Sequence, residues 1–334
     1  MWTRREWIGG LPLSIAMLRG APAARIQLVR VLKIWDQAPH NAFTDLIRFR
    51  KRWYCIFREA EDHVGGDGKL RVLESKNGET WSSVALLSES GVDLRDPKLS
   101  ITPDDRLMIV AGGSVYGGGK ILKSRQPRVA FSKDARNWTE PAAVLERGDW
   151  LWRVTWHKGR AYGVSYYTEP HGQPDRDWQL RFCESPNGSK WEVRHILAVS
   201  GRPNETTLRF LPNDDCVAFV RREGEDRQAW IGRSAPPYRE FQWKPCGHRT
   251  GGPNFIVLPD GRWVGGGRRY YPEGTFKTEV GFLSEQGYQP ELSLPSGGDT
   301  SYPGFVWHDN FLWMSYYSSH EGKASIYLAK LKLS

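Results

Sequence analysis

The sequence predicts an all-β fold, a six-bladed β-propeller with four antiparallel strands per blade. Three observations carry that prediction. A seven-residue phrase is written three times, as SKNGETW (Ser75–Trp81), SKDARNW (Ser132–Trp138) and SPNGSKW (Ser185–Trp191), at intervals of 57 and 53 residues. Six strand–turn–strand lines share one grammar along the chain. The last unit is one strand short, and a spare strand-like run stands near the N-terminus. Composition agrees: 35 glycines, 16 tryptophans and 13% aromatic residues are turn-rich and aromatic-rich, unlike a helical bundle.

The chain opens on a segment of targeting character. Arg4-Arg5 precede a moderately apolar stretch from Trp7 to Leu18, and Ala21 and Ala23 then stand in A-x-A spacing. The arginine pair with weak hydrophobicity resembles a twin-arginine signal, and the apolar run is too short to span a bilayer. Residues 1–24 are therefore expected to be an export signal, placing the protein in the periplasm or outside the cell. Residues 25–334 are expected to form one domain. Its first strand, RIQLVRVLKIW, is the spare one.

The six lines follow in order at 41–60, 95–113, 152–167, 204–222, 252–271 and 300–319. In each, a polar entry leads into an apolar strand, a turn, and a second apolar strand ending in arginines, glycines or tyrosines. A third strand comes next, such as KLRVLE, PRVAF or QLRFCE, and in the first three units it runs into the seven-residue phrase. There a Ser and an Asn or Asp can bond the turn's own backbone while the Trp packs beneath it. These phrases read as devices that hold blades together. The final SIYLAKLKLS supplies only a third strand, so RIQLVRVLKIW should pair beside it and close the ring.

Charge and cysteine content narrow the function. The chain carries a formal charge of +9, but its basic residues are scattered, with no Lys/Arg run longer than three. A nucleic-acid surface would be clustered, so no nucleic-acid partner is expected. No membrane span is expected either, and the chain should be monomeric. Cys55, Cys183, Cys216 and Cys246 lie far apart with no C-x-x-C pair, which argues against a zinc site and for buried thiols. No dinucleotide, phosphate-loop or calcium-loop motif stands in the right context, so no cofactor or metal is expected.

The seven-residue phrases resemble the Asp-boxes of sialidases and related propellers, one residue shorter than the usual form. PNETTLRF is similar to the sialidase segment whose glutamate partners the nucleophile, which implies that role for Glu205. DTSYPGFVWHDNFLWMSYY resembles the segment bearing the tyrosine nucleophile, which implies Tyr302. CIFREAEDH is similar to the first-blade loop carrying an arginine and the acid/base aspartate, which implies Arg58 and Asp62. The resemblance implies a carbohydrate-facing pocket. One departure stands out: where sialidases carry F/Y-R-I-P, this chain reads HNAFTDL and has no arginine.

In a propeller the polar entries of all units converge at one channel mouth. They bring His40 and Asp45, then Arg95 and Asp96, then Arg153, Glu205 and Tyr302. The ends of the second strands bring Arg58, Asp62 and His63, then Tyr167, Arg222, Arg268 and His320. Within the strand doublets one residue faces inward and its neighbour outward; Arg222 and Arg268 are chosen as the inward members. An arginine fork matches a planar sugar carboxylate, so an anionic glycan is the expected substrate. Tyr302 needs a base to act as nucleophile, and Glu205 is placed for it, with Asp62, Asp45 or Asp96 as the acid. The leading expectation is thus an exo-acting glycoside hydrolase on an anionic sugar. Two alternatives stand beside it: a uronate-glycan lyase using His63, His40 or His320 as base, and a propeller that binds carbohydrate without turnover.

Overall fold

A computed structural model describes residues 25–168 and 178–334. The export segment expected at 1–24 lies outside the described residues. The rest forms six four-stranded antiparallel sheets. In blades one to five the strands follow chain order from the axis outward. In blade six the order from the outside in is Ile26–Trp35, Ser325–Leu333, Phe311–Ser318 and Thr300–His308. The N-terminal strand is therefore the outermost strand of the last blade, running antiparallel to its neighbour from Ile26 opposite Leu333 to Trp35 opposite Ile326.

The six innermost strands are His40–Phe49, Asp93–Ile101, Asp149–His157, Pro203–Phe210, Thr250–Val257 and Thr300–His308. Each touches the next, and the last returns to the first, so they line a central channel. The cores lie between blades. Strand Arg52–Ala60 shows why its apolar run is continuous: Cys55 and Phe57 pack toward blade six against Trp313 and Tyr317, while Tyr54 and Ile56 pack toward blade two against Leu99 and Ile109. A strand buried on both faces needs apolar residues at every position, not every second one.

The three seven-residue phrases form the turns between third and fourth strands. Gly78 N–H donates to Ser75 Oγ at 2.9 Å, and Asn77 Oδ1 accepts from the N–H groups of Glu79 and Thr80. Asn187 Oδ1 does the same for Ser189 and Lys190. At the middle copy Asp134 takes over, and these donors hold its carboxyl far below the usual range, the Asn137 N–H first among them. The indole N–H groups of Trp138 and Trp191 close the turns onto the carbonyls of Ala135 and Gly188. Ala135 holds the left-handed conformation, φ 63°, that glycine supplies in the other two copies.

One feature recurs at the axis. Every innermost strand breaks register with its partner, between Ala42 and Asp45, Arg95 and Lys98, Leu151 and Val154, Pro203 and Thr206, Gly251 and Asn254, and Ser301 and Gly304. These are β-bulges, which re-aim side chains. In four of them a residue is left-handed: Phe43, Asp96, Gly252 and Tyr302, with φ of 65°, 50°, 61° and 57°. For the three that are not glycine this conformation is strained, and such strain concentrates at functional sites. The strands' entry ends and the bulges define one mouth of the channel; the seven-residue turns lie on the opposite face.

Candidate active site

At that mouth Tyr302 and Glu205 meet. Tyr302 sits in the blade-six bulge and Glu205 in the blade-four bulge, and both are buried. The phenol donates to Glu205 Oε1 at 2.6 Å. Glu205 Oε2 accepts from Arg221 at 2.8 Å and from the backbone N–H of Gly252 at 2.7 Å. The bulge aims that N–H, and a side chain at residue 252 would crowd Ser301 and the Tyr302 ring at 3.0–3.1 Å. Burial drives the phenol's pKa well above its ordinary value, and the Glu205 charge adds to that. Tyr302 is therefore a neutral phenol whose proton already points at a base.

Asp96 lies within electrostatic reach of both groups. It is 7% exposed, and its buried Oδ1 has no hydrogen-bond partner. Burial raises its pKa despite Arg95 and Lys98 nearby. A carboxyl that keeps its proton in a pocket is suited to donate it. Beneath the ring of Tyr302 lies the Lys98 ammonium, 5.2 Å from its centroid and 4.7 Å from that of Trp152, closing the floor.

A second cluster borders the first. His63 Nδ1 and His40 Nε2 both contact Asp299 Oδ2, at 2.6 and 3.0 Å. Asp299 Oδ1 accepts from Tyr317 at 2.8 Å and from Arg268 at 3.3 Å. Although burial opposes it, the hydrogen bonds from the two histidines and Tyr317 hold the Asp299 carboxyl far below its usual range. Among the described residues this trio has metal-ligand character, its three donor atoms lying within 4.8 Å of one another. As arranged, each imidazole N–H donates to the shared carboxylate.

The remaining residues singled out from the sequence fall in several places. Arg95 borders the pocket, bonded to the His63 carbonyl and to Asp93. Arg58 does not reach it. Its guanidinium is fully buried, fastened to both Asp93 oxygens at 2.6 and 2.9 Å and to the carbonyls of Asp62 and Gly65. It anchors the loop after its strand. The Asp62 side chain is 60% exposed and paired with Lys120, which lowers its pKa, so it stands as an ionised surface carboxylate. Asp45 and Arg153 pair with each other at 2.9 Å and line a cavity at the far mouth of the channel.

Arg222 turns away from the axis to Ser200 O, Asp226 and the Trp230 face; its neighbour Arg221 is the one beside Glu205. Tyr167 lies under Arg181, while Tyr166, equally half-buried, is the member within electrostatic reach of Glu205 and Asp96. Sequence reasoning thus chose the wrong member of two doublets, because alternation gives opposite faces but not which face is the mouth. His320 packs on Tyr327 and bonds Ser318, apart from the Asp299 cluster. Asp299, Arg221 and Lys98 went unassigned. Asp299 stands just before a strand entry, and Lys98 follows a proline within an ordinary strand pattern.

Comparison with known proteins bears on the fold. No family profile matches the chain, and no curated protein matches it. Among solved structures, it is similar to a protein of unknown function from Dyadobacter fermentans, with TM-score 0.79 and 20% identity over 92% of this chain and 99% of that one. It is also similar to an α-L-arabinanase of Penicillium chrysogenum complexed with arabinobiose, with TM-score 0.68 and 13% identity, covering 90% of this chain and 98% of that one. A sialidase of Trypanosoma rangeli matches with TM-score 0.66 and 10% identity, covering 93% of this chain and 60% of that one. These likenesses establish the six-bladed propeller fold.

Proposed function

We propose that this chain is a glycoside hydrolase that attacks the end of a glycan through Tyr302. The carrying observation is the 2.6 Å contact between the buried Tyr302 hydroxyl and Glu205, itself fixed by Arg221 and the Gly252 N–H. In the first step Glu205 takes the phenolic proton as the Tyr302 oxygen bonds to the anomeric carbon. Asp96 gives its proton to the departing glycosidic oxygen. Water then displaces the tyrosine, losing a proton to Asp96, and Glu205 returns its proton to the phenolate. The anomeric configuration is retained. Asp96 replaces Asp62 as the acid in this scheme, because Asp62 is exposed and ionised whereas Asp96 is buried and favours its proton. The floor formed by Trp152 and Lys98 favours an exo mode, since a chain end can enter but cannot pass through.

The substrate follows from charge. The sequence expectation of an anionic sugar needs free arginines. Arg58, Arg95, Arg221 and Arg268 are each paired with a carboxylate, through Asp93, Glu205, Glu223 and Asp299. A mouth so balanced offers no excess positive charge, and a neutral glycan suits it better. Arabinose-containing oligosaccharides are the first to test, since the α-L-arabinanase complexed with arabinobiose is among the similar structures. The test is a product screen over arabinan, sialylated, uronate-bearing and sulfated oligosaccharides. The expected outcome is release of a neutral monosaccharide with no ultraviolet-absorbing product. An unsaturated uronate would move the chemistry to the His63–Asp299 pair and a lyase. Binding without cleavage would leave a carbohydrate-binding propeller.

A further inference from the structure

The far mouth of the channel has a charge imbalance that the reaction does not use. A cavity of about 310 Å³ opens there, lined by Asp45, Arg153, Arg209, Asn254, Trp156 and Phe305 among others. Arg153 is 5% exposed and spends one nitrogen on both oxygens of Asp45, at 3.0 and 2.9 Å. Its Nε is buried with no hydrogen-bond partner. Asp45 is already shared, since its Oδ2 also accepts the Leu99 N–H at 2.8 Å. Arg209 reaches only neutral acceptors: Thr155 Oγ1, the Leu208 carbonyl and, at 2.8 Å, Asn254 Oδ1. The Lys98 ammonium, just above, donates to the Thr44 and Pro97 carbonyls and faces the rings of Trp152 and Tyr302. The two guanidinium groups lining this cavity thus share one carboxylate among the described residues that line it.

Buried charge without a counter-charge is costly, and a protein either neutralises the group or supplies a counterion. The strain is visible: burial and the neighbouring Arg153 pull the Arg209 pKa down to about 9, and burial and the same neighbour pull Lys98 down to about 8. We propose that the far mouth is a binding site for a small oxyanion, held between Arg153 and Arg209 with the Arg153 Nε–H as one donor. The ligand class is a sulfate, phosphate or small carboxylate, for which guanidinium forks are the matching donors. The site stands on the face opposite Tyr302 and does not depend on the proposed glycan chemistry.

Calorimetric titration of the whole protein with sodium sulfate, in a buffer free of other oxyanions and low in chloride, tests this. The expected result is one saturable site, with a melting temperature that rises with sulfate as binding to the folded state requires. Arg209→Gln should weaken binding at least about tenfold, the discrimination of a lost charge-assisted contact, while Arg209→Lys retains most of it. Wild-type protein showing no saturable binding up to about 50 mM sulfate, or Arg209→Gln binding equally well, would overturn the proposal. Should Arg209→Gln not fold, crystals of the wild type soaked in selenate decide it. An anomalous peak between Arg153 and Arg209 supports the site, and its absence there refutes it.

Discussion

The two ends of the central channel are built by the same six strands, yet they treat charge in opposite ways. At the entry end each of Arg58, Arg95, Arg221 and Arg268 is matched to a carboxylate, and the uncompensated feature is a proton: that of Tyr302, aimed at Glu205, and that of Asp96, kept by burial. At the far end the uncompensated feature is positive charge, since Arg153 and Arg209 share the single carboxylate of Asp45. The difference teaches that arginine count says little about a ligand. Eight of the residues read as a sugar clamp or its acid were arginines or carboxylates, and all but Asp96 are committed to ion-pair partners. What distinguishes a working site is the group left unmatched once the pairs are removed.

Five substitutions test this contrast. The largest effect is expected from Tyr302→Phe at the entry end, with turnover falling by about three orders of magnitude while the melting temperature changes little, checked by initial rates on the substrate found in the product screen. Asp96→Asn should lower turnover by roughly 10²–10⁴-fold. The wild-type rate should fall on the alkaline side as Asp96, whose pKa is raised, gives up its proton; that limb should vanish in Asp96→Asn, as a pH–rate profile of both will show. Glu205→Ala strips Arg221 of one of its two carboxylates and leaves the Gly252 N–H without its acceptor, so a stability loss of about 1–3 kcal/mol is expected beyond the lost activity, measured by denaturant unfolding.

The far end predicts the opposite sign with pH. Lys98 titrates at about 8 in the fold and near its ordinary 10.5 when unfolded, so between those values the unfolded chain binds more protons. Stability relative to Lys98→Met should therefore rise as pH climbs from about 8 toward 10.5, and sulfate should flatten that rise. Asp62→Asn should be the smallest change, with the unfolding midpoint and the rate both near wild type, because its side chain is exposed and its ion pair is with Lys120 at the surface. A large loss of turnover there would return the acid role to Asp62.

The propeller was legible because its grammar is written six times, and because a chain ending one strand short pointed to the spare strand at Ile26–Trp35. The meeting of Tyr302 with Glu205 was legible through resemblance, since 97 residues separate them and no local pattern links them. Less could be read from alternation. It separates Arg221 from Arg222 and Tyr166 from Tyr167, but the bulges that set which one reaches the mouth leave no consistent mark in sequence. Phe43 and Tyr302 hold left-handed backbone that no propensity favours. Asp45 stands beyond its bulge and Arg153 is the last residue within its own, and both line the far mouth.

The outermost strand of blade six has a consequence for how the molecule is made. Its residues leave the ribosome before any other part of the ring, yet their partner strand, Ser325–Leu333, is synthesised last. Until then Leu28 and Val29 belong to a segment with an unpaired edge, and the circle stays open however complete the first five blades are. Truncating even the final strand should therefore release both ends of the chain at once.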